Sequence, residues 1–304
     1  MKKITKILSM VLALVMLAAV LTGCASKADP GKPEIKEESK ADSDKTDTKE
    51  ETKTDTDYWY IKDKGTMIIG ITMYPPMNFY DDSGKLTGFD TELAEAVCAN
   101  LGINAEFVEI NWDSKEVELN SKNIDCIWNG MCITEERKQN MSISDPYMNN
   151  EQAIVMKASR EAEIMKSVDG LTLTAEAGST GEGKVDGSIK DDGTQDVSAK
   201  EYFAKCNYVP SDSMAKALME VKSGTADMAI VDATLAFYNV GPGTDFEDLV
   251  ANTDINFGAQ QFGIAFRKGS DMTAKVNDAI KALSNDGTVK TIAAKYGLED
   301  ALVK

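Results

Sequence analysis

The chain has 304 residues and no histidine. Without an imidazole it cannot build a Ser-His-Asp triad, a Cys-His nucleophile, an HExxH zinc site or a histidine pH switch. Basic residues are also in the minority, with 33 Lys and Arg against 50 Asp and Glu, for a formal net charge of -17. Nucleic-acid binding requires a clustered basic face, so this balance argues against nucleic acid as a partner.

Cysteine is scarce, and apart from Cys24 only Cys98, Cys126, Cys132 and Cys206 are present. None of these four stands in CxxC spacing, and with no histidine available we expect no metal site and no cofactor. In an exported protein the four could pair as disulfides, and the sequence does not say which. Cys98 falls on the core face of a predicted helix and Cys126 in a predicted strand, which favours buried free thiols.

The first residues have the pattern of an export signal. Lys2, Lys3 and Lys6 precede an apolar run from Ile7 to Leu21 that is short for a stable membrane span. Leu21-Thr22-Gly23-Cys24 resembles a bacterial lipobox, which predicts a lipoprotein signal peptide over residues 1–23 and acylation of the Cys24 thiol. The alternative is an ordinary secretory signal with an incidental cysteine. We therefore expect a lipid-anchored protein on the extracytoplasmic face of the cell membrane.

Residues 24–57 form a polar segment between that signal and the rest of the chain. From residue 25 onward the segment contains no aromatic residue, and Ile35 is its only branched aliphatic residue. Such a composition buries too little apolar surface to offset the entropy of ordering. We predict a disordered, charged tether that holds the folded part away from the membrane.

The next part of the chain alternates between apolar strand-like runs and amphipathic helices. Asp90 is predicted to cap a helix that Gly102 ends. Strands are predicted over Met67–Ile71, Ala105–Glu109 and Ile124–Trp128, with a turn at Tyr80–Gly84 and a further helix from about Asp113 to Ser121. Alternation of this kind predicts βαβ units and a largely parallel sheet.

The same alternation returns after residue 150. Asp212 is predicted to cap a helix that Gly224 ends, between strands at Leu171–Ala175 and Asp227–Val231. A short pattern occurs once in each half, because Ser121 and Ser223 both precede an aspartate by four residues at a helix-to-strand junction. Two lobes of related architecture explain this best.

The C-terminal part is predicted to return to the first lobe. Gln260–Arg267 has a strand-like pattern, Asp271 is predicted to cap a helix that Gly287 ends, and a final helix follows. No linker-like composition precedes Gln260. We therefore expect an α/β fold with lobe 1 over 58–150 and 259–304, lobe 2 over 151–258, and a hinge of two crossovers near 149–156 and 256–263.

The segment from Asp125 to Arg137 carries the most informative candidate site. A predicted strand ends near Trp128, a glycine turn follows, and Thr134 is predicted to cap a short helix that contains Arg137. Polar loops at the carboxyl ends of parallel strands are where α/β folds place ligands. The planar guanidinium of Arg137 matches a carboxylate through two hydrogen bonds. Pairing with Glu135 or Glu136 on the surface is the alternative.

Several short motifs, taken together and in order, resemble the polar amino-acid family of ABC-transporter solute-binding proteins, the two-lobed "Venus flytrap" type. The resemblance covers Gly65 to Tyr296. The motifs are Tyr74-Pro-Pro-Met-Asn-Phe79, Gly84-Lys-Leu-Thr-Gly-Phe-Asp90, Ile124-Asp-Cys-Ile-Trp-Asn-Gly130, Ile133-Thr-Glu-Glu-Arg137, Ser144-Asp-Pro-Tyr147, Gly178-Ser-Thr180 and Asp227-Met-Ala-Ile-Val-Asp232. The resemblance implies the type II fold of periplasmic binding proteins.

The resemblance also implies roles for individual residues. Arg137 is expected to bind the ligand α-carboxylate, with backbone donors near Cys132 and around Ser179 and Thr180. Asp232 is expected to bind the α-ammonium, helped by the Gly130 carbonyl, although it can also serve as the N-cap of the next helix. The ring of Tyr74 is expected to cover the ligand, with a place in the core as the alternative.

Three further positions carry expectations with stated alternatives. Trp128 is expected at the ligand, although a tryptophan in a buried strand also suits the core, and its neighbour Asn129 could face the cleft instead. Trp112, which opens a predicted helix, is expected to be structural. Cys132 stands where the family commonly has Ser or Thr, and the glycine-rich stretch from Gly178 to Gly193 is expected to be loose where relatives start a regular helix.

The expected function is extracytoplasmic binding of a free L-amino acid by lobe closure and its delivery to an ABC-transporter permease. We expect a monomer and no catalytic residues. The alternatives are a module that senses amino acids for a receptor and a dehydratase-type enzyme on the same fold. The absence of a signalling domain, a second membrane span and histidine disfavours both. The sequence does not indicate which amino acid binds.

Overall fold

A computed structural model describes residues 56–187 and 197–304 of the chain. The expected signal peptide, Cys24 and nearly all of the expected tether lie outside the described residues, as does the end of the glycine-rich stretch. Within these two ranges, no helix is both long and apolar enough to cross a lipid bilayer.

The first lobe is built on a five-stranded sheet. Its strands are β1 (Thr66–Ile71), β4 (Asn104–Glu109), β5 (Cys126–Ile127), β6 (Met141–Ile143) and β14 (Ala265–Arg267), in the spatial order β4-β1-β5-β14-β6. β1 pairs in parallel with β4 and β5, whereas β14 is antiparallel to both of its neighbours. A short hairpin of β2 (Phe79–Tyr80) and β3 (Leu86–Thr87) surrounds the predicted turn.

The second lobe repeats this arrangement. Its strands are β8 (Gln152–Lys157), β9 (Thr172–Glu176), β10 (Asn207–Ser211), β11 (Met228–Asp232) and β12 (Leu249–Asn252), in the order β10-β9-β11-β8-β12. β9 pairs in parallel with β10 and β11, and β8 is the antiparallel strand. In each sheet the antiparallel strand thus stands fourth in the same order, which confirms two lobes of related, mainly parallel α/β architecture.

Two aspartates explain the short pattern that the halves share. The carboxylate of Asp125 accepts a hydrogen bond from the backbone N–H of Ile68 in β1, at 2.8 Å, and pairs with Lys64 and Arg267. The carboxylate of Asp227 accepts one from the N–H of Thr172 in β9, at 2.7 Å, and pairs with Arg160. Each aspartate therefore ties the start of one strand to the start of its parallel neighbour.

Helices cover the sheets, and their ends follow ordinary capping rules. They are α1 (Asp57–Lys64), α2 (Phe89–Leu101), α3 (Lys115–Asn120), α4 (Glu135–Asn140), α5 (Glu161–Ile164), α6 (Thr180–Asp186), α7 (Val197–Phe203), α8 (Met214–Ser223), α9 (Ala233–Asn239), α10 (Met272–Asn285) and α11 (Thr288–Lys295), with 3-10 turns at Trp112–Ser114, Ala158–Arg160 and Glu299–Ala301. As predicted, Gly102 and Gly224 end α2 and α8 in the left-handed conformation.

Two predicted helix caps are wrong. Gly88, not Asp90, is the N-cap of α2, and Asp90 lies inside the helix with its side chain fully buried. Ser213, not Asp212, caps α8, and its hydroxyl accepts a hydrogen bond from the N–H of Lys216. Asp212 pairs with the Lys216 side chain on the surface instead. An aspartate near a helix start can serve either the helix end or a tertiary partner, and position alone does not distinguish the two.

The predicted strand over Gln260–Arg267 consists of two strands. Its first part is β13 (Gln260–Phe262), which pairs with β7 (Met148–Asn150) in an antiparallel ribbon, and its second part is β14 of the first sheet. The chain bends between them at Gly263, where a Cβ atom would lie 2.8 Å from the side chain of Ile143. β7 leads into β8 and β13 leads into β14, so this ribbon connects the two lobes.

The four cysteines of the described residues are free, which confirms the prediction of free thiols. Cys98, Cys126 and Cys132 are buried, and Cys206 is partly buried. Burial is the main cause that raises the pKa of the Cys98 thiol to about 12. The thiols of the three buried cysteines are therefore protonated at neutral pH.

Candidate ligand-binding site

A small cavity lies between the lobes at the carboxyl ends of their parallel strands. Its volume is about 10 Å³, which is room for one water molecule at most. The lining residues follow or end these strands: Thr72, Met73 and Tyr74 after β1, Trp112 after β4, Asn129 and Gly130 after β5, Glu176 at the end of β9, Met214 after β10 and Asp232 at the end of β11. This is the position where α/β sheets bind ligands.

Asp232 is the carboxylate at the centre of this cavity. It is 2% exposed and accepts hydrogen bonds from Asn150 at 2.9 Å, from Tyr74 at 2.9 Å and from Gln152. Burial is the largest influence and raises the pKa of Asp232, while these hydrogen bonds and the charge of Arg137 act in the opposite direction. Asp232 also occupies the N-cap position of α9, but its side chain makes no capping hydrogen bond. The Asp232 side chain therefore lines the cavity and does not cap the helix.

Tyr74 reaches Asp232 from the other lobe. Its ring packs on Gly130, where φ is +55° and a Cβ atom would lie 2.4 Å from the ring. Only glycine combines that backbone conformation with room for the ring. The contact places Tyr74 as one wall of the cavity and keeps its hydroxyl on the carboxylate of the second lobe.

Asn129 and Gly130 are held rigidly by buried partners in the first lobe. The Asn129 side chain exchanges hydrogen bonds with the backbone of Thr72 and donates to Asn78 at 2.7 Å. The N–H of Gly130 donates to the buried carboxylate of Asp90 at 2.6 Å. Burial is the main cause that raises the pKa of Asp90 to about 7. The loop after β5 is therefore fixed in part by Asn78 and Asp90, which do not line the cavity.

Arg137 is buried on the first lobe but does not line this cavity. Thr134 caps α4, as predicted, and its hydroxyl accepts a hydrogen bond from the N–H of Arg137. The guanidinium donates to the carbonyl of Cys132 at 2.7 Å and to that of Gly178, in the second lobe, at 3.0 Å. It makes neither of the surface pairs with Glu135 or Glu136 that the sequence left open. Its planar fork therefore bridges the lobes through backbone oxygens.

Cys132, Ser179 and Thr180 meet where the lobes touch. The Thr180 hydroxyl donates to the thiol of Cys132 at 3.5 Å and accepts from Gln152 at 3.1 Å. Ser179 caps α6, and its hydroxyl accepts a hydrogen bond from the N–H of Glu182. A regular helix therefore starts after Gly178 despite the glycine-rich sequence.

The expected site residues fall into two groups. Tyr74, Asn129, Gly130 and Asp232 line the cavity, whereas Arg137, Ser179 and Thr180 line a neighbouring groove of about 290 Å³. Cys132 lies between the two groups, because its carbonyl binds Arg137 and its thiol faces Asp232 at 3.8 Å. A molecule that touches both groups requires the lobes to separate first.

Trp128 lies elsewhere. Its side chain is fully buried in the core and lies outside the cavity lining. This is the core position that the sequence left open as the alternative.

The cavity also contains residues that the sequence analysis did not select. Glu176 and Met214 were missed, and Trp112 was expected to be structural, yet all three line the cavity. Asn150 and Gln152, which hold Asp232, were missed as well. One signal was available, because each lining residue follows or ends a parallel strand, and the loops after β4, β9 and β10 could have been searched for this reason.

Comparison with known proteins identifies the family. Residues 67–299 match the model of bacterial extracellular solute-binding proteins, family 3. The chain belongs to this family. It therefore acts outside the cytoplasm.

Individual relatives agree with that assignment. The chain is 31% identical over 238 residues to the L-cystine-binding protein TcyJ of Escherichia coli, covering 78% of this chain and 84% of that protein. It is 28% identical to the arginine-binding extracellular protein ArtP of Bacillus subtilis, covering 77% and 86%. The structure of an ABC uptake transporter substrate-binding protein from Streptococcus pneumoniae, with bound histidine, superimposes with a TM-score of 0.71 at 29% identity, covering 82% and 99%. The expected two-lobed type II fold is confirmed.

Proposed function

We propose that this protein binds one free L-amino acid between its lobes and delivers it to the permease of an ABC transporter. One observation carries the proposal. A buried guanidinium, that of Arg137, lies in the first lobe and lines a groove, and a buried carboxylate, that of Asp232, lies in the second lobe and lines the neighbouring interlobe cavity. These charges match the two groups common to all free α-amino acids. The named ligands of the relatives, cystine, arginine and histidine, support the same class.

In this proposal the ligand replaces contacts that now join the lobes. The ligand α-carboxylate replaces the carbonyl of Gly178 as a hydrogen-bond acceptor of the Arg137 guanidinium. Backbone N–H groups near Thr180 and Cys132 also donate to this α-carboxylate. The ligand α-ammonium replaces the hydroxyl of Tyr74 as a hydrogen-bond donor to the carboxylate of Asp232. The carbonyl of Gly130 also accepts a hydrogen bond from this α-ammonium. The ring of Tyr74 then covers the ligand. Since each charged end belongs to one lobe, a bound amino acid holds the lobes together.

The expected affinity follows from the hydrogen bonds to charged groups. Each contributes about 1.5 to 3 kcal/mol. Three or four of them, reduced by the free energy of association and by the cross-lobe contacts that are lost, leave about -8 kcal/mol, which corresponds to a micromolar Kd. This range suits a receptor that must release its ligand to a transporter.

The proposal also covers the location of the protein in the cell, its oligomeric state and the fate of the ligand. We propose that Cys24 is acylated, that the protein works as a monomer on the outer face of the cell membrane, and that it releases its ligand unchanged. Cys24→Ser would then release the protein into the medium. Retention of this variant on the membrane would contradict the proposal that an acylated Cys24 is the anchor. Mass spectrometry of each bound amino acid after incubation tests the absence of catalysis.

The function is tested by calorimetric titration of the purified protein with each common amino acid. We expect at least one to bind at micromolar Kd, and Arg137→Ala to abolish that binding while the circular dichroism spectrum stays unchanged. Lys138→Ala is the matched control, because Lys138 is the next residue on α4 and its exposed ammonium pairs with Glu135. Undiminished affinity in Arg137→Ala would contradict the carboxylate role, and no binding by any amino acid would remove the proposed function.

A further inference from the structure

Glu176 is a buried carboxyl group in the interlobe cavity for which the function proposed above gives no role. It ends β9 in the second lobe, is 3% exposed, and lines the cavity together with Asp232 at the end of the neighbouring strand β11. Its Oε1 atom is buried and has no hydrogen-bond partner among the described residues. A buried oxygen without a partner destabilises a fold, so its presence requires an explanation.

The cations of the protein near Glu176 do not donate a hydrogen bond to its Oε1 atom. Lys115 donates its ammonium hydrogen bonds to the carbonyls of Trp112, at 3.1 Å, and Gly178, at 3.0 Å. Arg137 donates to the carbonyls of Cys132 and Gly178. Both cations act on Glu176 through space, but the hydrogen bonds of both go to backbone oxygens.

Glu176 therefore shares one cavity with a second carboxyl group. The charged groups that face it are Asp232 on β11, Lys115 on α3 and Arg137 on α4. Burial first, and Asp232 second, raise the pKa of Glu176 to about 8, and the two cations lower it less. An amino acid with a single ammonium group neutralises only one of two adjacent carboxylates.

The cavity also contains an aromatic ring and a thioether. The ring of Trp112 lies 5.0 Å from the ammonium of Lys115 and 5.8 Å from the guanidinium of Arg137. The Trp112 ring therefore already faces two cations of the protein, and the thioether of Met214 offers a polarizable contact for an alkyl or disulfide chain.

We propose that Glu176 is a specificity-determining residue that binds a second positively charged group of the ligand, beyond the α-ammonium that Asp232 binds. This inference rests on the proposed function. The ligand class is an amino acid with two cationic groups: one with a cationic side chain, such as arginine or lysine, or one with a second α-ammonium, such as cystine. The two sources share the same chemistry at Glu176, and matched ligands distinguish them.

The test compares pairs of ligands that differ only in the second cation. Arginine is compared with citrulline, whose ureido group has a similar shape but no charge. Cystine is compared with the mixed disulfide of cysteine and 3-mercaptopropionic acid, which lacks the second ammonium. Each is titrated calorimetrically into the full protein, into Glu176→Gln and into Glu109→Gln, a control in which the exposed last residue of β4 is changed.

We expect the protein to prefer the charged member of at least one pair by about tenfold or more, since a charge-assisted hydrogen bond is replaced by a weaker one. Glu176→Gln should reduce that preference to about threefold or less and leave the Kd of the neutral member nearly unchanged. Glu109→Gln should keep the preference. The pair that shows the effect identifies the source of the second cation.

Two outcomes overturn the inference and spare the proposed function: neutral amino acids that bind as tightly as their charged partners, or a preference that survives in Glu176→Gln. Failure of every amino acid to bind would instead remove the proposed function. Unfolding of Glu176→Gln is not expected, because the change removes a buried carboxylate without altering its shape.

A pH series adds a measurement that a purely structural Glu176 would not affect. Binding of a cation requires the deprotonated carboxylate, so the ratio of arginine to citrulline affinity should rise with pH through about 8. Burial lowers the pKa of the facing Lys115 to about 8 as well, so the same series in Glu176→Gln separates the two groups, and the part of the rise due to Glu176 should be absent there. The α-ammonium is common to both ligands and cancels in the ratio. A ratio that is independent of pH contradicts the role of Glu176.

Discussion

The hydroxyl of Tyr74 lies 2.9 Å from a carboxylate oxygen of Asp232, and the two residues belong to different lobes. Both are buried, and both are expected to contact an amino acid. The same carboxylate therefore has two candidate partners, a hydroxyl from the facing lobe and the α-ammonium of a ligand. In the proposed function, competition between these two partners would link ligand binding to the opening and closing of the lobes.

Tyr74→Phe keeps the ring and removes the hydroxyl. Because the ammonium then no longer displaces a hydrogen bond worth about 1 kcal/mol, we expect amino-acid affinity to increase about fivefold. Calorimetric titration measures this change, and Tyr202→Phe is the control, since its hydroxyl is buried without a partner among the described residues. Weaker binding in Tyr74→Phe would show that the hydroxyl holds the ligand instead of competing with it.

Asp232→Asn tests the partner of the α-ammonium. The amide keeps the size of the carboxylate but loses its charge, so amino acids should bind about a hundredfold more weakly. Analogues that lack the α-amino group should lose much less. An equal loss for an amino acid and its deaminated analogue would remove Asp232 from the ammonium site.

Asp90→Asn tests the buried carboxyl group that holds the loop after β5. The raised pKa of Asp90, about 7 against an ordinary 3.8, means that the folded state binds this proton more tightly than the unfolded state. Its contribution to stability is therefore complete below about pH 4 and is lost as the pH rises to about 7, by roughly 4 kcal/mol. An asparagine at this position does not titrate, so the variant should gain stability relative to the natural protein over that interval.

Denaturant unfolding at several pH values measures this difference for Asp90→Asn. The amide oxygen can still accept the hydrogen bonds that Gly130 and Tyr147 donate to Asp90. The natural protein and the variant should therefore differ in the pH dependence of unfolding and share the same circular dichroism spectrum. Parallel stability curves would show that Asp90 does not titrate in this range.

Gly130→Ala tests the contact between the loop after β5 and Tyr74. The added methyl group would lie 2.4 Å from the Tyr74 ring, so the ring must move, and we expect amino-acid affinity to fall more than about tenfold. Gly84→Ala is the matched control, because Gly84 also has a positive φ, +80°, but no atom within 4 Å of the added Cβ. It carries the backbone strain without the clash. Equal effects of both changes on binding would exclude a role for the ring contact.

Local patterns predicted most of the secondary structure. The apolar runs identified β1, β4, β9 and β11, and Gly102 and Gly224 ended their helices as expected, because such signals depend on neighbours in the sequence. The predictions were wrong where the local structure depended on a partner that is distant in the sequence. Asp90 turned inward to Gly130 and Tyr147 instead of capping a helix, and Gly263 divided an expected single strand between the hinge and a sheet.

The candidate site was predictable only in part for the same reason. The motifs selected residues whose positions the family shares, and the structure brings Tyr74, Gly130 and Asp232 together around one cavity. Glu176 belongs to no selected motif. Its importance arises from burial beside Asp232 and from an oxygen without a partner among the described residues, and neither property can be seen in the order of the residues.

The sequence by itself determined the kind of molecule: a chain without histidine, rich in acidic residues, with two halves of alternating strands and helices and an export pattern at its start. These properties reside in composition and in spacing along the chain. Only the tertiary structure decided which side chains meet, because strands far apart in sequence end at the same edge of a sheet and two such edges face each other. The approach of Tyr74, Asp232 and Glu176 depends on that geometry, and the identity of the ligand depends on it in turn.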